Sequence, residues 1–177
     1  MIAGAAAMFT IGAAIPSFAA AGGWATQGDS WCYLDAQGNK VTNVWKKSGN
    51  DWYYLDSDGL MATDTWVDDT SYVDIYGVRV TNRWIYTEAG TDNAPNSEGG
   101  WYYLDAAGKA VSDGWKTINN KKYYFDSDGT MQYGWYTDGS DTYYLGDENN
   151  GAAATGWLCL DFDKDNVPSD GDVSEQE

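Results

Sequence analysis

Short apolar clusters rich in aromatic residues recur along the chain and alternate with polar stretches that contain Asp, Asn and Gly. Trp and Tyr favour strands. In the cluster Trp52-Tyr53-Tyr54-Leu55, alternating side chains would place Trp52 and Tyr54 on one face of a strand and Tyr53 and Leu55 on the other. The pattern predicts short β-strands and little helix.

Five of the aromatic clusters are followed by the motif Asp-x-x-Gly, which is typical of a type I turn. The motif recurs at 35–38, 56–59, 74–77, 105–108 and 126–129. Upstream of each cluster lies a second short apolar stretch that opens with Trp, and turn residues such as Asn119-Asn120 separate the two. Asn-Asn between short strands suits a tight hairpin turn, so each unit predicts one β-hairpin and a connecting loop.

The unit repeats along the chain. Most opening tryptophans are 18 to 22 residues apart, and one interval of 31 contains the insert TEAGTDNAPNSEGG. The units open at Trp24, Trp45, Trp66, Trp84, Trp115 and Trp135, and Trp157 opens a partial copy. One hairpin is marginally stable in water, whereas stacked hairpins bury each other's aromatic faces. The sequence predicts an all-β solenoid of stacked hairpin repeats of about 20 residues over residues 22–160.

The two ends differ from the repeats. Residues 1–21 run from an apolar stretch through Pro16 to small residues, which predicts a secretory signal peptide whose start lies upstream, since a basic n-region is missing. A membrane anchor is the alternative, although Pro16 and Ser17 interrupt the apolar run. Residues 161–177 are predicted to be an acidic tail or linker. The Asp spacing in 161–172 also resembles calcium loops of the thrombospondin type 3 kind, but no metal site is predicted.

Composition narrows the classes of function. The chain has 10 Lys and Arg against 27 Asp and Glu, a net charge of −17, which argues against nucleic-acid binding. It lacks histidine, which excludes Ser-His-Asp and Cys-His catalytic sites. Because the Asp of Asp-x-x-Gly recurs in five units, it is assigned to turns. We therefore expect no catalytic activity and no cofactor.

Two cysteines stand near opposite ends of the repeat region. The spacing of Cys32 and Cys159 matches no metal motif, and an elongated fold would keep them beyond bridging distance. Free thiols are the favoured interpretation, and an intermolecular link is the alternative.

The stretch Gly114–Trp135, GWKTINNKKYYFDSDGTMQYGW, resembles the choline-binding, or cell-wall-binding, repeats of Gram-positive surface proteins. It is also similar to glucan-binding repeats of glucosyltransferases and to the repeats of clostridial toxins. The resemblance implies ligand sites between consecutive hairpins, each built from two Trp of one hairpin and a Tyr of the next. Such a site suits choline, because a quaternary ammonium has no N–H and is held by aromatic faces.

Carrying the family's pattern onto this sequence gives three candidate cages. They are Trp24 and Trp31 with Tyr54, Trp45 and Trp52 with Tyr72, and Trp84 and Trp101 with Tyr124. Other units depart from the pattern, because Thr70, Lys122 and Thr142 replace the second Trp. Those units are expected to lack complete cages, and Lys122 would oppose a bound cation.

The resemblance implies a secreted, cell-wall-associated binding module that anchors its protein to choline on teichoic acids. Several weak cages on one rod would gain avidity toward a polymer with many cholines. A module for glucan or other cell-wall polysaccharide is the alternative, since sugars also stack on aromatic faces. After signal cleavage no membrane contact is expected, whereas homodimer formation is possible by resemblance.

Overall fold

The computed structural model describes residues 22–139 and 141–159. The predicted signal peptide at 1–21 and the predicted tail at 161–177, with its calcium-type Asp spacing, lie outside the described residues. No helix in the described part of the chain is long or apolar enough to cross a membrane.

The described residues form twelve short β-strands. They are β1 Gly23–Gln27, β2 Ser30–Leu34, β3 Val44–Ser48, β4 Asp51–Leu55, β5 Thr65–Val67, β6 Ser71–Val73, β7 Arg83–Thr87, β8 Gly100–Leu104, β9 Gly114–Ile118, β10 Lys121–Phe125, β11 Trp135–Asp138 and β12 Asp141–Tyr144. Consecutive strands pair antiparallel into six separate two-stranded sheets. We number these hairpins 1 to 6 in chain order, and they confirm the predicted all-β array of hairpin repeats.

The register of every hairpin places its opening Trp opposite a Tyr of the second strand. In hairpin 2, Trp45 lies opposite Tyr54, and their ring centroids are 5.2 Å apart. In hairpin 5, Trp115 lies opposite Tyr124 at 5.3 Å. The opening Trp and this Tyr therefore share one face of their hairpin, and the residue just before the Tyr takes the other face.

Left-handed residues close the hairpins, as the turn sequences predict. In hairpin 5, Asn119 and Asn120 have φ of 49° and 64°. Positive φ at both central residues is what a type I′ turn requires, and Asn tolerates it better than most residues. The short hairpin 3 uses Asp68 and Asp69 in the same way, with φ of 54° and 55°.

The Asp of each Asp-x-x-Gly motif fastens the loop that leaves a hairpin. The Asp126 carboxylate accepts hydrogen bonds from the backbone N–H groups of Asp128 and Thr130 at 3.0 and 2.8 Å. Gly129 N–H also donates to the Asp126 carbonyl at 3.1 Å. Asp35, Asp56, Asp74 and Asp105 make the equivalent bonds. These carboxylates therefore close turns in the described repeats.

The loop after each hairpin also contacts the hairpin before it. At a fixed place in the repeat, a backbone N–H donates to a carbonyl at the start of the preceding second strand. The pairs are Met61 to Trp31, Arg79 to Trp52, Ala110 to Thr70, Met131 to Trp101 and Ala153 to Lys122, at 2.7 to 2.8 Å. We call the donors bridging residues, because each ties two successive hairpins together.

The core is a row of small clusters along the array. The last residue of each second strand from hairpin 2 onward, or the residue just after it, is fully buried: Leu55, Val73, Leu104, Phe125 and Leu145. One cluster gathers Phe125 with Ile118, Tyr123 and Met131, and another is centred on Trp66 and Tyr102. Stability therefore arises mainly between neighbours, as in other repeat proteins.

Candidate aromatic ligand sites

A space between two successive hairpins is bordered by four recurring positions, and we call this space a junction. Junction 1 lies between hairpins 1 and 2, and junction 5 between hairpins 5 and 6. The four positions are the opening Trp, the residue at the start of the same hairpin's second strand, the residue just before the Tyr that pairs with the next opening Trp, and the bridging residue. The chemistry of a junction follows from the side chains that occupy these positions.

Junction 4 has aromatic or thioether side chains at all four positions. Trp84, Trp101, Tyr123 and Met131 line a cavity of about 250 Å³, together with Asn149 and Asn150. The rings of Trp84 and Tyr123 meet edge to face, with centroids 4.9 Å apart. Pockets for drug-sized ligands occupy roughly 300–1,000 Å³. The cavity at junction 4 therefore suits a small group such as a quaternary ammonium.

The rings of junction 4 are held by packing behind them. Phe125 stacks on Trp84 with centroids 5.7 Å apart, and Tyr103 meets the same indole edge to face at 5.2 Å. Burial raises the pKa of Tyr123 above an ordinary value at which the phenol is already neutral at physiological pH. A neutral ring wall presents a π face without a formal charge.

Junction 1 carries the same residue types. Trp24 and Tyr53 meet edge to face with centroids 5.4 Å apart. Trp31 and Met61 hold the second and bridging positions, and the Met61 N–H donates to the Trp31 carbonyl at 2.7 Å. Burial, followed by the charges of Asp51 and Asp74, raises the pKa of Tyr53. Junctions 1 and 4 thus match position by position.

The tyrosine that reaches the preceding hairpin is one residue earlier than the sequence analysis selected. Tyr54 contacts Trp45 of its own hairpin, and Tyr53 is the ring beside Trp24. Tyr124 contacts Trp115 of its own hairpin at 5.3 Å, whereas the neighbouring Tyr123 lies beside Trp84. Strand alternation explains both cases, because the Tyr opposite the opening Trp faces the following hairpin, not the preceding one.

Junction 2 has two tryptophans but no tyrosine from the next hairpin. Tyr72 contacts Trp66 of its own hairpin at 5.5 Å, and its hydroxyl donates to Asp64 Oδ1 at 2.7 Å. Burial, then the hydrogen bond to Asp64, raises its pKa strongly. The position facing Trp45 and Trp52 belongs to Ser71, which is 1% exposed.

A cation of the chain itself lies on both tryptophans of junction 2. The guanidinium carbon of Arg79 is 5.4 Å from the ring centroid of Trp45 and 5.4 Å from that of Trp52. Both distances are within the roughly 6 Å limit of a cation–π contact. Arg79 was not selected by sequence reasoning, because it lies in a different repeat from both tryptophans and belongs to no recognisable motif.

Junction 3 is filled by packing. Trp66 and Tyr102 are 2% and 0% exposed, and their ring centroids are 4.9 Å apart. The indole Nε1 of Trp66 donates to Thr87 Oγ1 at 3.0 Å. Small residues, Thr70 and Ala110, hold the other two positions, so this junction is a buried aromatic core.

Junction 5 contains a second internal cation. The Nζ of Lys122 lies 4.0 Å from the ring centroid of Trp115 and 5.3 Å from that of Tyr143. The sequence predicts that Lys122 opposes a bound cation. In the structure the Lys122 ammonium itself lies on the rings of Trp115 and Tyr143. A broader cavity of about 560 Å³ is lined by three of the junction's four positions, Lys122, Tyr143 and Ala153. Asn120, Tyr144 and Asn150 also line it.

The two cysteines differ in their exposure to solvent. Cys32 is buried in β2 and Cys159 is exposed, and both are free thiols.

Known proteins share both the repeat sequence and the fold. Residues 39–78 and 111–157 match two models described as choline-binding repeats, and residues 96–110 match a model of a putative cell wall binding repeat. No curated protein sequence matches the chain.

Solved structures from Streptococcus pneumoniae are similar to most of the chain. The modular autolysin LytC is 28% identical over 80% of this chain and 30% of its own, with a TM-score of 0.64. Choline binding protein F is 34% identical over 78% of this chain and 46% of its own, with a TM-score of 0.56. CbpJ is 32% identical over 75% of this chain and 42% of its own, at 0.52. The chain thus spans less than half the length of these relatives. Its repeats at 39–78, 96–110 and 111–157 place it in the choline-binding repeat family.

Proposed function

We propose that the chain is a non-catalytic module that binds choline of cell-wall teichoic acids in junctions 1 and 4. The observation that carries this proposal is the cavity at junction 4, enclosed by Trp84, Trp101, Tyr123 and Met131. A trimethylammonium group offers no hydrogen-bond donor, and these side chains offer π faces and a polarisable thioether in return. Junction 1 repeats the set with Trp24, Trp31, Tyr53 and Met61.

The expected strength of one site is low. Each aromatic face contributes about 0.5–2 kcal/mol, so three faces give roughly 2–6 kcal/mol before the cost of association. One site should therefore bind at about millimolar strength. Two sites on the same chain would gain avidity on a polymer with many cholines, because the second binding step becomes intramolecular. The net charge of −17 adds a general attraction for cations.

Anchoring at the wall of a secreted protein is the setting that fits such a module. One relative, the autolysin LytC, was solved in complex with a synthetic peptidoglycan ligand. For this chain we propose that residues 22–160 form the anchoring array and that any catalytic activity lies in another domain or protein. The recurring Asp side chains support this assignment, since those of the described Asp-x-x-Gly motifs close turns.

Carbohydrate binding is the second candidate function, and the cavity beside junction 5 favours it. This cavity of about 560 Å³ combines the rings of Tyr143 and Tyr144 with the amides of Asn120 and Asn150. Aromatic faces with nearby amides are suited to sugar rings and their hydroxyls. A dextran pull-down or a glycan array would detect this activity independently of choline.

The proposed function is tested with the full chain on a diethylaminoethyl-substituted resin. We expect retention, elution by free choline, and a saturable change of Trp fluorescence when choline is titrated into the free protein. The double variant Trp31→Ala with Trp101→Ala should flow through the resin, and Trp157→Ala, which changes a side chain 95% exposed, should bind as before. Flow-through of the unmodified chain would reject the choline assignment.

A further inference from the structure

Junctions 1, 2 and 4 share a pair of tryptophans from one hairpin but differ in what the next hairpin contributes. In junctions 1 and 4 it contributes Tyr and Met. In junction 2 it contributes Ser71 and Arg79 at the same two positions, and Arg79 N–H makes the same bridging bond, 2.8 Å to Trp52. The backbone frame of junction 2 is thus that of junctions 1 and 4, whereas its side chains replace a ring and a thioether with a hydroxymethyl and a cation.

The Arg79 side chain is held in place by these surroundings. Its guanidinium carbon is equidistant from the two indole centroids, at 5.4 Å from each. Its Nε is buried and has no hydrogen-bond partner among the described residues. A Cβ on Gly108 would come within 2.9 Å of Arg79 Cδ and Nε, so the side chain lies directly on this glycine. A buried donor without a partner is costly unless another interaction offsets it, and the two π faces provide one.

We infer that Arg79 is a built-in ligand of junction 2. Its guanidinium takes the place between Trp45 and Trp52 that an ammonium ligand would take between the two tryptophans of junction 1 or 4. Lys122 plays the same part at junction 5, where its ammonium lies over the rings of Trp115 and Tyr143. The inference rests on the proposed function and adds a rule of selectivity to it. A junction with two or more rings accepts choline only where the repeats leave it without an internal cation.

Junction 3 is filled by its own packed rings, and the rule divides the other four junctions into two groups. Junctions 1 and 4 accept choline, whereas at junctions 2 and 5 an internal cation covers the rings and choline does not bind. Lys46 does not break the rule, because its Nζ lies 4.7 Å from the ring centroid of Tyr33, and Tyr33 is not one of the four positions of junction 1. Arg79 therefore determines how many cholines one chain holds.

The experiment follows individual indole N–H resonances of the full chain by NMR during a choline titration. In the unmodified chain we expect saturable shifts for Trp24, Trp31, Trp84 and Trp101, and none for Trp45 and Trp52. In Arg79→Ala, Trp45 and Trp52 should also shift, which adds one bound choline. Arg83→Ala is the matched control, because this exposed arginine of β7 lies outside junction 2, and it should leave the Trp45 and Trp52 resonances unresponsive.

A second variant keeps the test decisive if Arg79→Ala fails to fold. The double variant Ser71→Tyr with Arg79→Met gives junction 2 the residue types of junctions 1 and 4. Adding one ring should make choline bind at junction 2 about 2- to 30-fold more tightly than in Arg79→Met alone. Unresponsive Trp45 and Trp52 in folded variants, while Trp84 and Trp101 respond, would overturn the inference.

A measurement without choline separates this inference from the proposed function. If Arg79 lies between two indole faces, its δ-methylene and guanidinium protons are shifted upfield by ring currents in the unliganded chain. Arg83 should show ordinary values. Ordinary values for Arg79 as well would reject the built-in ligand. Upfield values in a chain that binds no choline would keep the internal cation and reject choline binding instead.

Discussion

The backbone N–H of Met131 donates a hydrogen bond of 2.8 Å to the carbonyl of Trp101, so two walls of the cavity at junction 4 are joined by the bond that ties hairpin 5 to hairpin 4. The ligand site and the contact between hairpins therefore share residues. A ligand that fills the cavity should strengthen the contact that holds the two hairpins together.

Choline is therefore expected to raise the stability of the array. A ligand that binds only the folded state stabilises it by RT ln(1 + [L]/Kd), or about 1.4 kcal/mol per site at ten times Kd. Thermal unfolding followed by circular dichroism should shift upward as choline is added. Tetramethylammonium should give a comparable rise and sodium chloride a smaller one. Equal effects of all three would show that ionic strength alone is responsible.

Trp101→Ala should weaken binding at junction 4 and spare junction 1. Loss of one ring from a three-ring cage weakens binding by about 2- to 30-fold at that site. Indole N–H resonances should then show a weaker response of Trp84 to choline, with Trp24 and Trp31 unchanged. A uniform loss at both junctions would indicate unfolding in place of a local effect.

Gly151→Ala should close junction 4 from behind. A Cβ on Gly151 would collide with the Sδ and Cε of Met131, which is 4% exposed and cannot easily yield. Gly139→Ala is the matched control, because Gly139 has a similar φ, +64° against +56°, but a Cβ there meets nothing within 4 Å.

Both Gly variants carry about 1–2 kcal/mol of left-handed backbone strain. Only Gly151→Ala adds overpacking, typically about 1–3 kcal/mol more. Urea unfolding should rank Gly151→Ala below Gly139→Ala, and only Gly151→Ala should lose choline binding at Trp84. Equal stability of the two variants would mean that Met131 moves aside freely.

Thr87→Val should destabilise junction 3 without any effect on choline. The change keeps the shape of the side chain but leaves Trp66 Nε1 buried without its acceptor at 3.0 Å, at a cost of about 1–3 kcal/mol. Thr137→Val, at an exposed threonine, should change the free energy of unfolding by less than about 0.5 kcal/mol. Chemical denaturation measures both, and a choline titration should give unaltered binding for each.

The fold should lose stability in alkali. Burial raises the pKa values of Tyr53, Tyr102 and Tyr123 above the ordinary value of 10.0, and a hydrogen bond with Tyr124, then burial, raises that of Tyr136 to about 12. A raised pKa means that the folded state holds its proton more tightly than the unfolded state. This contribution is complete below pH 10 and is lost as the pH rises through the folded pKa values.

Tyrosinate absorbance near 295 nm checks the alkaline prediction. In the folded chain, the tyrosines with raised pKa values should ionise at a higher pH than the others. In denaturant, all tyrosines should ionise together near the ordinary pKa of tyrosine. Unfolding free energies measured from pH 7 to 9 should show no slope from tyrosines. Ionisation of Tyr123 at its ordinary pKa in the folded chain would contradict its burial.

The sequence predicts the repeat array well because its signals are local. The opening tryptophans, the alternation of Trp52 to Leu55 and the Asn119-Asn120 turn each act within one hairpin, and the structure confirms the hairpins that they predict. The left-handed residues that start the repeats, such as Asn43 and Asn82, were not predicted. The backbone N–H of such a residue donates a hydrogen bond to the backbone carbonyl of the Asp that follows the second strand, as Asn43 does to Asp56 at 3.1 Å. This bond fixes the point at which the hairpin begins.

The candidate sites were less predictable because each depends on two hairpins. The choice of Tyr54 and Tyr124 followed the family pattern, whereas the alternation of the strand favours Tyr53 and Tyr123 and could have corrected it. Arg79 could not have been placed in this way. Its position over Trp45 and Trp52 depends on how one repeat's loop meets the preceding hairpin, which no pattern within a single repeat reveals.

A junction is the joint product of two neighbours, and this has a consequence for how such arrays change by duplication. Each internal hairpin, with the loop that follows it, supplies two of the four positions of one junction and the other two positions of the previous one. Inserting a copy of hairpin 3 elsewhere would bring Ser71 and Arg79 against whatever tryptophans precede it, and would close that receptor. The order of the repeats in the array therefore determines what the array binds, just as much as their number does.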